Sequence, residues 1–557
     1  MQTISDEALI REAYARLLIW ADGCRELHER AAEARKILLL QDPRQDAPGH
    51  RGEPTLQLQT LKSTFQNCVA DQLDNMPEAV LLPETPALTA VSDDLTDVVR
   101  CVLSQNEFES LHRRRVEDCF CTGTAITQIA WDDDLDGGRG NVALIRWPIE
   151  AFLWDPAAET LQEARALFKV SWHPMSWFRE HYPEHAEHMT GDDTAFSAIG
   201  LCDDRRDRAF GDEDRAMLLE YWWRQYDAAT RRYQVNMALL AGGRLLYRQN
   251  AVYAHGRYPF VADVYTPIEG LPVGDGLIQE LAPMMRYVNR YAGYIDTNLR
   301  MSSKGRLLVD RGAGLNRRAL SDWQTDIIEG DRIDAGAVKW LQSVPFSPLA
   351  AQQMLQLQTD IKQDSGQNEF TRGEPVGGVT AASAISALQE AGGKMTRLRT
   401  ASLNQGFKQM VEQMLWLIHQ FYGANRVLMI TGHAGARLVD AGAPHLFGGE
   451  PDPLLEAGGV LPPPRYRVQV QVQRRNPLRQ QAQNELLLQA FELCAKAGRP
   501  IPVEALFEAM QVDGKERVLA LIRQGQALEM QTMPMQPMQP IPEALMPSLP
   551  PTAGGAG

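Results

Sequence analysis

The amino-acid sequence predicts a mainly helical α+β fold, and three observations support this prediction. Apolar residues recur at helical spacing over 380–422, the longest such pattern in the chain. Segments 124–147 and 218–267 instead have the composition of strands that are joined by turns. Residues 466–473, YRVQVQVQ, alternate between apolar and polar side chains, which is typical of a strand with one buried face.

Helices are also predicted at both ends of the chain. Ser5 can cap a helix that has an acidic first turn and extends to about Leu40. More helices are predicted near 58–75, 87–105 and 106–120, and the proline-containing MPEAVLLPETP separates the first two. The C-terminal region is predicted to form a helical module, followed by a Met/Pro-rich tail that is expected to be disordered.

The longest predicted helix follows a glycine-rich loop at 371–379. Thr380 is a suitable N-cap, and at about 1.5 Å per residue the helix would be roughly 60 Å long. Gly392 and Gly393 predict a kink, because paired glycines weaken helical hydrogen bonding. A modest basic stripe on its polar side includes Lys394, Arg397 and Arg399. Such a helix is typical either of a core with one solvated face or of an element that lines an assembly.

Composition and charge limit the possible functions. The 557 residues suffice for two or more domains, and the formal net charge is −15. A free-standing nucleic-acid binder usually carries a basic excess, so any contact with DNA is expected to be local and weak. No secretory signal and no run of about 18 apolar residues is present, so the protein is expected to act where it is made, without a membrane span.

Two short patterns bear on metal binding. Asp132, Asp134 and Asp136 match the start of a calcium loop, but Ala143 occupies the position of its bidentate glutamate, which favours a solvated turn. His181-Tyr182-Pro183-Glu184-His185 is an H-x-x-E-H string, which binds zinc only within a regular helix. Pro183 opposes such a helix. No cofactor, metal ligand or catalytic residue is therefore predicted, although a metal-dependent hydrolase that uses 181–185 remains an alternative.

The order of the elements resembles a tailed-bacteriophage portal protein, nearest to the P22-like branch of short-tailed phages. The resemblance rests on GDGLIQELAPMMRYVNRYAGYIDTNL, on GGVTAASAISALQEAGGKMTRLRTASLNQGF and on NPLRQQAQNELLLQAF, in this order. It implies a wing at 1–270 and 423–476, a first stem helix at 271–303, a clip at 304–346, a second stem helix at 347–370, a tunnel loop at 371–379, a long channel helix at 380–422, a crown at 477–525 and a tail at 526–557.

The resemblance also implies a function. It implies a homo-oligomeric ring, usually of twelve subunits, that forms a channel for double-stranded DNA at one capsid vertex. The partners that it implies are the terminase large subunit, the head–tail adaptor, and the major capsid and scaffolding proteins. The implied location is the virion, with assembly in the host cytoplasm. No Walker A motif is present in the sequence, so the energy for packaging would come from a partner, and the chain is predicted not to be an enzyme.

The residues predicted to lie nearest the DNA belong to the tunnel loop and to the basic stripe. They are Arg372, Gly373, Glu374, Pro375, Gly377, Gly378, Lys394, Arg397 and Arg399. The cationic residues among them can alternatively form salt bridges between subunits or face solvent. A cytosolic scaffold without a role in DNA handling is a further alternative, which a monomeric protein would favour.

Overall fold

The structure of the chain is a computed structural model. It describes residues 5–41, 57–189, 214–228, 231–303, 306–310, 314–316, 318, 338–341, 347–367, 394–424, 426–432, 435–448, 461–474, 477–496, 506 and 510. Helices and strands are mixed and helices predominate, so the predicted α+β class is confirmed. None of the helices in these ranges is long and apolar enough to cross a membrane.

The longer described helices lie close to the predicted positions. They are α1 (Asp6–Leu38), α2 (Thr60–Leu73), α3 (Ser92–Gln105), α4 (Phe108–Thr122), α5 (Met175–His181), α6 (Pro183–Ala186), α7 (Leu277–Ser303), α8 (Pro348–Asp364), α9 (Lys394–Phe421), α10 (Ala443–Leu446) and α11 (Pro477–Lys496). The predicted cap of the first helix is confirmed, since the side chain of Ser5 accepts a hydrogen bond from the backbone N–H of Ala8.

The described strands are β1 (Asn75–Pro83), β2 (Thr124–Asp132), β3 (Asn141–Trp147), β4 (Phe152–Trp154), β5 (Ala166–Pro174), β6 (Arg215–Asp227), β7 (Arg232–Ala241), β8 (Arg244–Gln249), β9 (Phe260–Val264), β10 (Thr266–Pro267), β11 (Gly274–Asp275), β12 (Arg306–Val309), β13 (Val338–Leu341), β14 (Val427–Gly432), β15 (Gly435–Asp440) and β16 (Tyr466–Arg474). A five-stranded sheet has the order β4-β5-β6-β7-β8, and a three-stranded sheet has the order β3-β2-β9. Neighbouring strands in both sheets are antiparallel.

Strand β1 corrects the prediction that MPEAVLLPETP only separates two helices. Residues 75–83 pair antiparallel with β16 over nine positions, from Asn75 opposite Arg474 to Pro83 opposite Tyr466. Two prolines lie in this strand, and prolines are tolerated in strands that have an edge without a ladder partner. The alternating pattern of β16 is confirmed, since Tyr466 and Val468 are buried and Arg467 and Gln469 are exposed.

Two hydrophobic clusters fill most of the described interior. The larger one joins α1, α3, the five-stranded sheet and most of α9. The second joins the end of α1 with α2, α4 and the first half of α7, and it includes Leu403 of α9. Helix α9 therefore contributes to both clusters and connects them.

The chain divides into two compact units. The first consists of Met1–Ile430 and Leu438–Arg475, and the second consists of Thr431–Arg437 and Asn476–Gly557. The first contains both large sheets and all the described helices except α11, which belongs to the second.

Candidate functional site

The helix that the sequence singled out passes through the interior of the first unit. Helix α9 buries one continuous face, which consists of Leu403, Phe407, Met410, Val411, Met414, Leu417 and Ile418. These residues recur at steps of one, three and four, the spacing of a helix face, and Gln413 and Leu415 beside that face are buried as well. Residues 380–393, which the sequence also assigned to this helix, and the kink predicted at Gly392-Gly393 lie outside the described residues.

A buried ion pair lies against the middle of α9. Arg115 of α4 donates to both carboxylate oxygens of Asp263 of β9, at 2.9 and 2.8 Å, and both side chains are fully buried. A Cβ atom at Gly406 of α9 would lie 1.8 Å from Asp263 Oδ1. Burial raises the pKa of Asp263, and the charge and hydrogen bonds of Arg115 oppose this rise. Glycine at position 406 therefore lets the helix pass directly over the pair.

The first turns of α9 contain the three described members of the basic stripe. Lys394 and Arg397 are exposed, and so is Leu398. Arg399 is only 8% exposed, and its guanidinium lies over the rings of Phe120 and Tyr265 at 5.6 and 5.2 Å. The structure therefore separates Arg399 from the two surface cations and places it among aromatic side chains.

Helices α7 and α8 contact each other, and each is buried at one end only. In α7 the buried residues run from Leu277 to Ala292, whereas Leu299 near its C-terminus is 58% exposed. In α8 Ile361 near its C-terminus is fully buried, whereas Leu349 near its N-terminus is 70% exposed. The two helices thus form an antiparallel pair that leaves the core in the direction of β12 and β13.

Ion pairs fix the buried end of α7 to α1. Arg30 of α1 pairs with Asp275, which directly precedes α7, and Glu33 of α1 pairs with Arg286 of α7. The charges are reversed between the two pairs, so they specify a single alignment of these helices.

A model of the phage P22-like portal protein family matches residues 42–549, which is most of the sequence. The chain belongs to the phage P22-like portal protein family. Portal proteins are structural rather than enzymatic, and they assemble as oligomeric rings at a vertex of the phage capsid. No protein with curated annotation matches the chain.

The match to the portal family does not test the predicted domain boundaries or the predicted site residues. Helices α7, α8 and α9 occupy the positions predicted for the two stem helices and for most of the channel helix. Most of the predicted clip, and the predicted loop residues Arg372, Gly373, Glu374, Pro375, Gly377 and Gly378, lie outside the described residues. The roles of these regions therefore stay predictions.

The structure conflicts with both metal-binding patterns, the zinc motif at 181–185 and the calcium-loop pattern at 132–136. The H-x-x-E-H string is divided between α5, which ends at His181, and α6, which begins at Pro183. His181 stacks on Trp177 at 4.4 Å and contacts its carbonyl oxygen, so no single helix presents both histidines. At the acidic turn after β2, Asp136 pairs with Arg426 and Asp133 accepts from the indole of Trp131. In the described part of the chain no cluster of three metal-ligating side chains occurs.

The sequence analysis missed the buried ion pair and the polar contacts that surround Arg399. One signal for the ion pair was present, since Gly406 interrupts a helical pattern, and an isolated glycine in a helix often marks a close contact. Its partners Arg115 and Asp263 are separated by 148 positions, and no pattern within either segment connects them.

Proposed function

We propose that this chain forms the ring-shaped channel through which double-stranded DNA is packaged and ejected. The proposed ring contains twelve subunits. The observation that supports it most strongly is the match to the portal family over residues 42–549. The order of the described helices agrees with it. Helix α7 leads out of the core, α8 leads back to it, and α9 then passes through it.

The proposed contact between subunits involves the projecting ends of α7 and α8. Leu299 of α7 and Leu349 and Leu355 of α8 expose large apolar side chains. A second copy of the chain is the partner that a ring requires, and it would cover these apolar side chains. A contact in a ring joins two different surfaces of the same chain, and in this proposal the three leucines belong to one of these surfaces.

The proposed contact with DNA is weak and local. Lys394 and Arg397 are exposed near the start of α9, directly after the segment that holds Arg372 and the glycines of the predicted loop. Each cation that contacts a phosphate releases counterions, so such contacts weaken as the salt concentration rises. The net charge of −15 repels phosphates elsewhere, which keeps the DNA from adhering to the channel.

The proposed partners follow from the same assignment. Without a Walker A motif in the chain, the terminase large subunit supplies the energy of packaging. In this proposal the clip at 304–346 binds the terminase first and the head–tail adaptor afterwards. The major capsid and scaffolding proteins are further partners of the ring, which assembles in the host cytoplasm and is part of the virion.

Purified protein tests the ring directly. Twelve copies of the 62.2 kDa chain amount to about 750 kDa, and we expect particles of this mass with a central hole in negative-stain images. The control is the same measurement on a dilution series, because a ring in equilibrium with monomers loses mass on dilution. Compact monomers at every concentration, and also in assembled heads, would contradict the proposal and favour a scaffold of another kind.

A further inference from the structure

Helix α8 ends in a tight turn that brings the chain to α2 and to the start of α9. The backbone N–H of Gln367 donates to the carbonyl of Lys362 at 3.0 Å, and that of Gly366 donates to Gln363 at 2.9 Å. This is the Schellman arrangement, in which a left-handed residue ends the helix. Gly366 has φ +78°, and a Cβ atom there would lie 2.9 Å from Cβ of Met395 in α9. The end of α8 and the start of α9 are therefore in contact.

The side chain of Gln367 fixes this turn to α2. Its Nε2 donates to Asp71 Oδ2 at 2.6 Å and to the sulfur of Cys68 at 3.7 Å. The thiol of Cys68 in turn donates to the carbonyl of Ser365 at 3.6 Å. Burial raises the pKa of Asp71, and the hydrogen bond from Gln367 lowers it. Gln367 and Cys68 are buried, so solvent competes little for these hydrogen bonds.

The next residue of α2 fixes the start of α9. Gln72 is buried, and its Nε2 donates to the carbonyl of Thr396 at 3.1 Å. Its Oε1 accepts a hydrogen bond from Thr400 at 2.9 Å. Arg399 lies between the two attachments and donates to the sulfur of Cys68 at 3.7 Å. The side-chain amide of Gln72 thus contacts both the backbone and a side chain of α9.

All these contacts originate from a single turn of α2. Cys68, Asp71 and Gln72 are three and four positions apart, so their side chains lie on one face of the helix. Phe65 and Val69 of the same helix are buried in the second hydrophobic cluster, which holds α2 in place. The chain therefore leaves α8 at 367 and enters α9 at 394 against one rigid support.

We propose that Asp71, Gln72 and Gln367 are positioning residues that fix both ends of the 368–393 connection to one turn of α2. This inference rests on the proposed function, because that connection contains the loop residues assigned to the DNA channel. In a ring, the same support on α2 would recur in every copy of the chain. The three residues act on DNA through the position of the loop, without contacting DNA themselves.

The test compares variants with a matched control in the full-length chain. Gln367→Ala, Gln72→Ala and Asp71→Ala remove one attachment each. Gln356→Ala is the control, because Gln356 donates to Asp360 at 2.7 Å in a similar hydrogen bond on the exposed side of α8. For each protein we would measure the rate of trypsin cleavage after Arg372, the thermal midpoint, ring assembly and the fraction of DNA-filled heads.

For Gln367→Ala, Gln72→Ala and Asp71→Ala we expect cleavage after Arg372 to be about tenfold faster, the size of effect typical of losing one buried hydrogen bond to a polar or charged group. The thermal midpoint and ring assembly should be nearly unchanged, and fewer heads should contain DNA. Gln356→Ala should match the wild type.

Three results would overturn the inference. Unchanged cleavage after Arg372, or faster cleavage at every site together with a lower thermal midpoint, would mean that the contacts only stabilise the fold. Faster cleavage after Arg372 with normal filling of heads would mean that the position of the loop does not matter for DNA. Failure of the proposed function is distinguishable, since the wild-type protein itself would then form no ring.

Discussion

Gly406 is the residue on which the buried ion pair of Arg115 and Asp263 depends. The pair is fully buried, and a buried charge is tolerated only while its partner and hydrogen bonds stay in place. Any side chain at 406 would displace Asp263 from Arg115 or push α9 away from β9. Because α9 joins both hydrophobic clusters, the effect of either movement would extend through the first unit.

We expect Gly406→Ala to lower the free energy of unfolding by about 3 kcal/mol, the combined size of overpacking and of a disturbed buried ion pair. Chemical denaturation monitored by tryptophan fluorescence measures this change. Gly423→Ala is the control, because a Cβ atom at 423 would meet no atom within 4 Å, and its effect should stay within about 0.5 kcal/mol. Equal stabilities of the two variants would contradict the role given to Gly406.

Arg399 shows why the prediction of a basic stripe is only partly correct. Lys394 and Arg397 are three positions apart and share one face of the helix. Arg399 follows Arg397 by two positions, which is about 200° around a helix of 3.6 residues per turn. That rotation predicts that the two arginines point to opposite sides. Only the contacts with Cys68, Phe120 and Tyr265 show that the side of Arg399 is the buried one.

At the scale of elements, α7 and α8 differ from the other long helices because burial changes along their length rather than only around it. Periodicity predicts which face of a helix is apolar, but it does not tell whether that face meets the same chain or another copy. The buried half of α7 meets α1, α2 and α4 within this chain. The exposed leucines at the other end are consistent with a partner subunit.

We expect Leu299→Asp and Leu349→Asp each to shift the protein from rings to smaller species, because a charge at an apolar subunit contact is desolvated without a partner. Sedimentation velocity measures the distribution of species, and thermal unfolding of the dissociated chain should be unchanged. Leu135→Asp, at the exposed turn after β2, replaces an exposed leucine away from α7 and α8 and serves as the control. Full rings from both stem variants would show that this surface lies outside the subunit contact.

The start of α9 allows a prediction about DNA. The double variant Lys394→Ala/Arg397→Ala should reduce the retention of packaged DNA, and the difference from the wild type should diminish at high salt, because contacts with phosphates are weakened by salt. Counting DNA-filled heads at two salt concentrations measures this. Lys408→Ala is the control, since Lys408 lies further along α9 near Glu412. Arg372→Ala extends the test to the predicted loop, and unchanged retention in all variants would argue against these cations.

Strand β1 shows where prediction from local sequence fails at this scale. Its two prolines made the segment resemble a linker, although Met76, Ala79 and Leu81 are buried. The strand is defined by its partner β16, which lies far along the chain, and such a pairing leaves little trace within either segment. The helices, in contrast, were located to within a few residues, because their hydrogen bonds and apolar spacing are local.

At the scale of the whole molecule, buried histidines make stability depend on pH. Burial lowers the pKa of His28 to about 4 and that of His112 to about 3, from an ordinary value of 6.5. In the folded chain these groups therefore stay neutral while the unfolded chain takes up protons below pH 6.5. Stability is fully present above this pH and is lost as the pH falls towards 4, by up to about 1.4 kcal/mol per pH unit for each histidine.

The variant His28→Gln tests this dependence. Nε2 of His28 lies 3.0 Å from the carbonyl oxygen of Phe152, and a glutamine amide can also donate to that oxygen. We expect the variant to lose less stability than the wild type between pH 6.5 and 4.5, as measured by denaturation at a series of pH values. His188→Gln is the control, because His188 is exposed. A pH dependence identical to that of the wild type would contradict the assignment of His28.

The pairing of β1 with β16 has a consequence for how the chain is made. At a synthesis rate of 5–20 residues per second, β1 leaves the ribosome roughly 20–80 s before β16 exists. Throughout that interval Met76 and Leu81 lack the strand that completes their ribbon. A chain that is terminated before Tyr466 therefore leaves the backbone groups of β1 on this edge without their β16 partners. The two-stranded ribbon therefore cannot be complete before translation has passed Arg474.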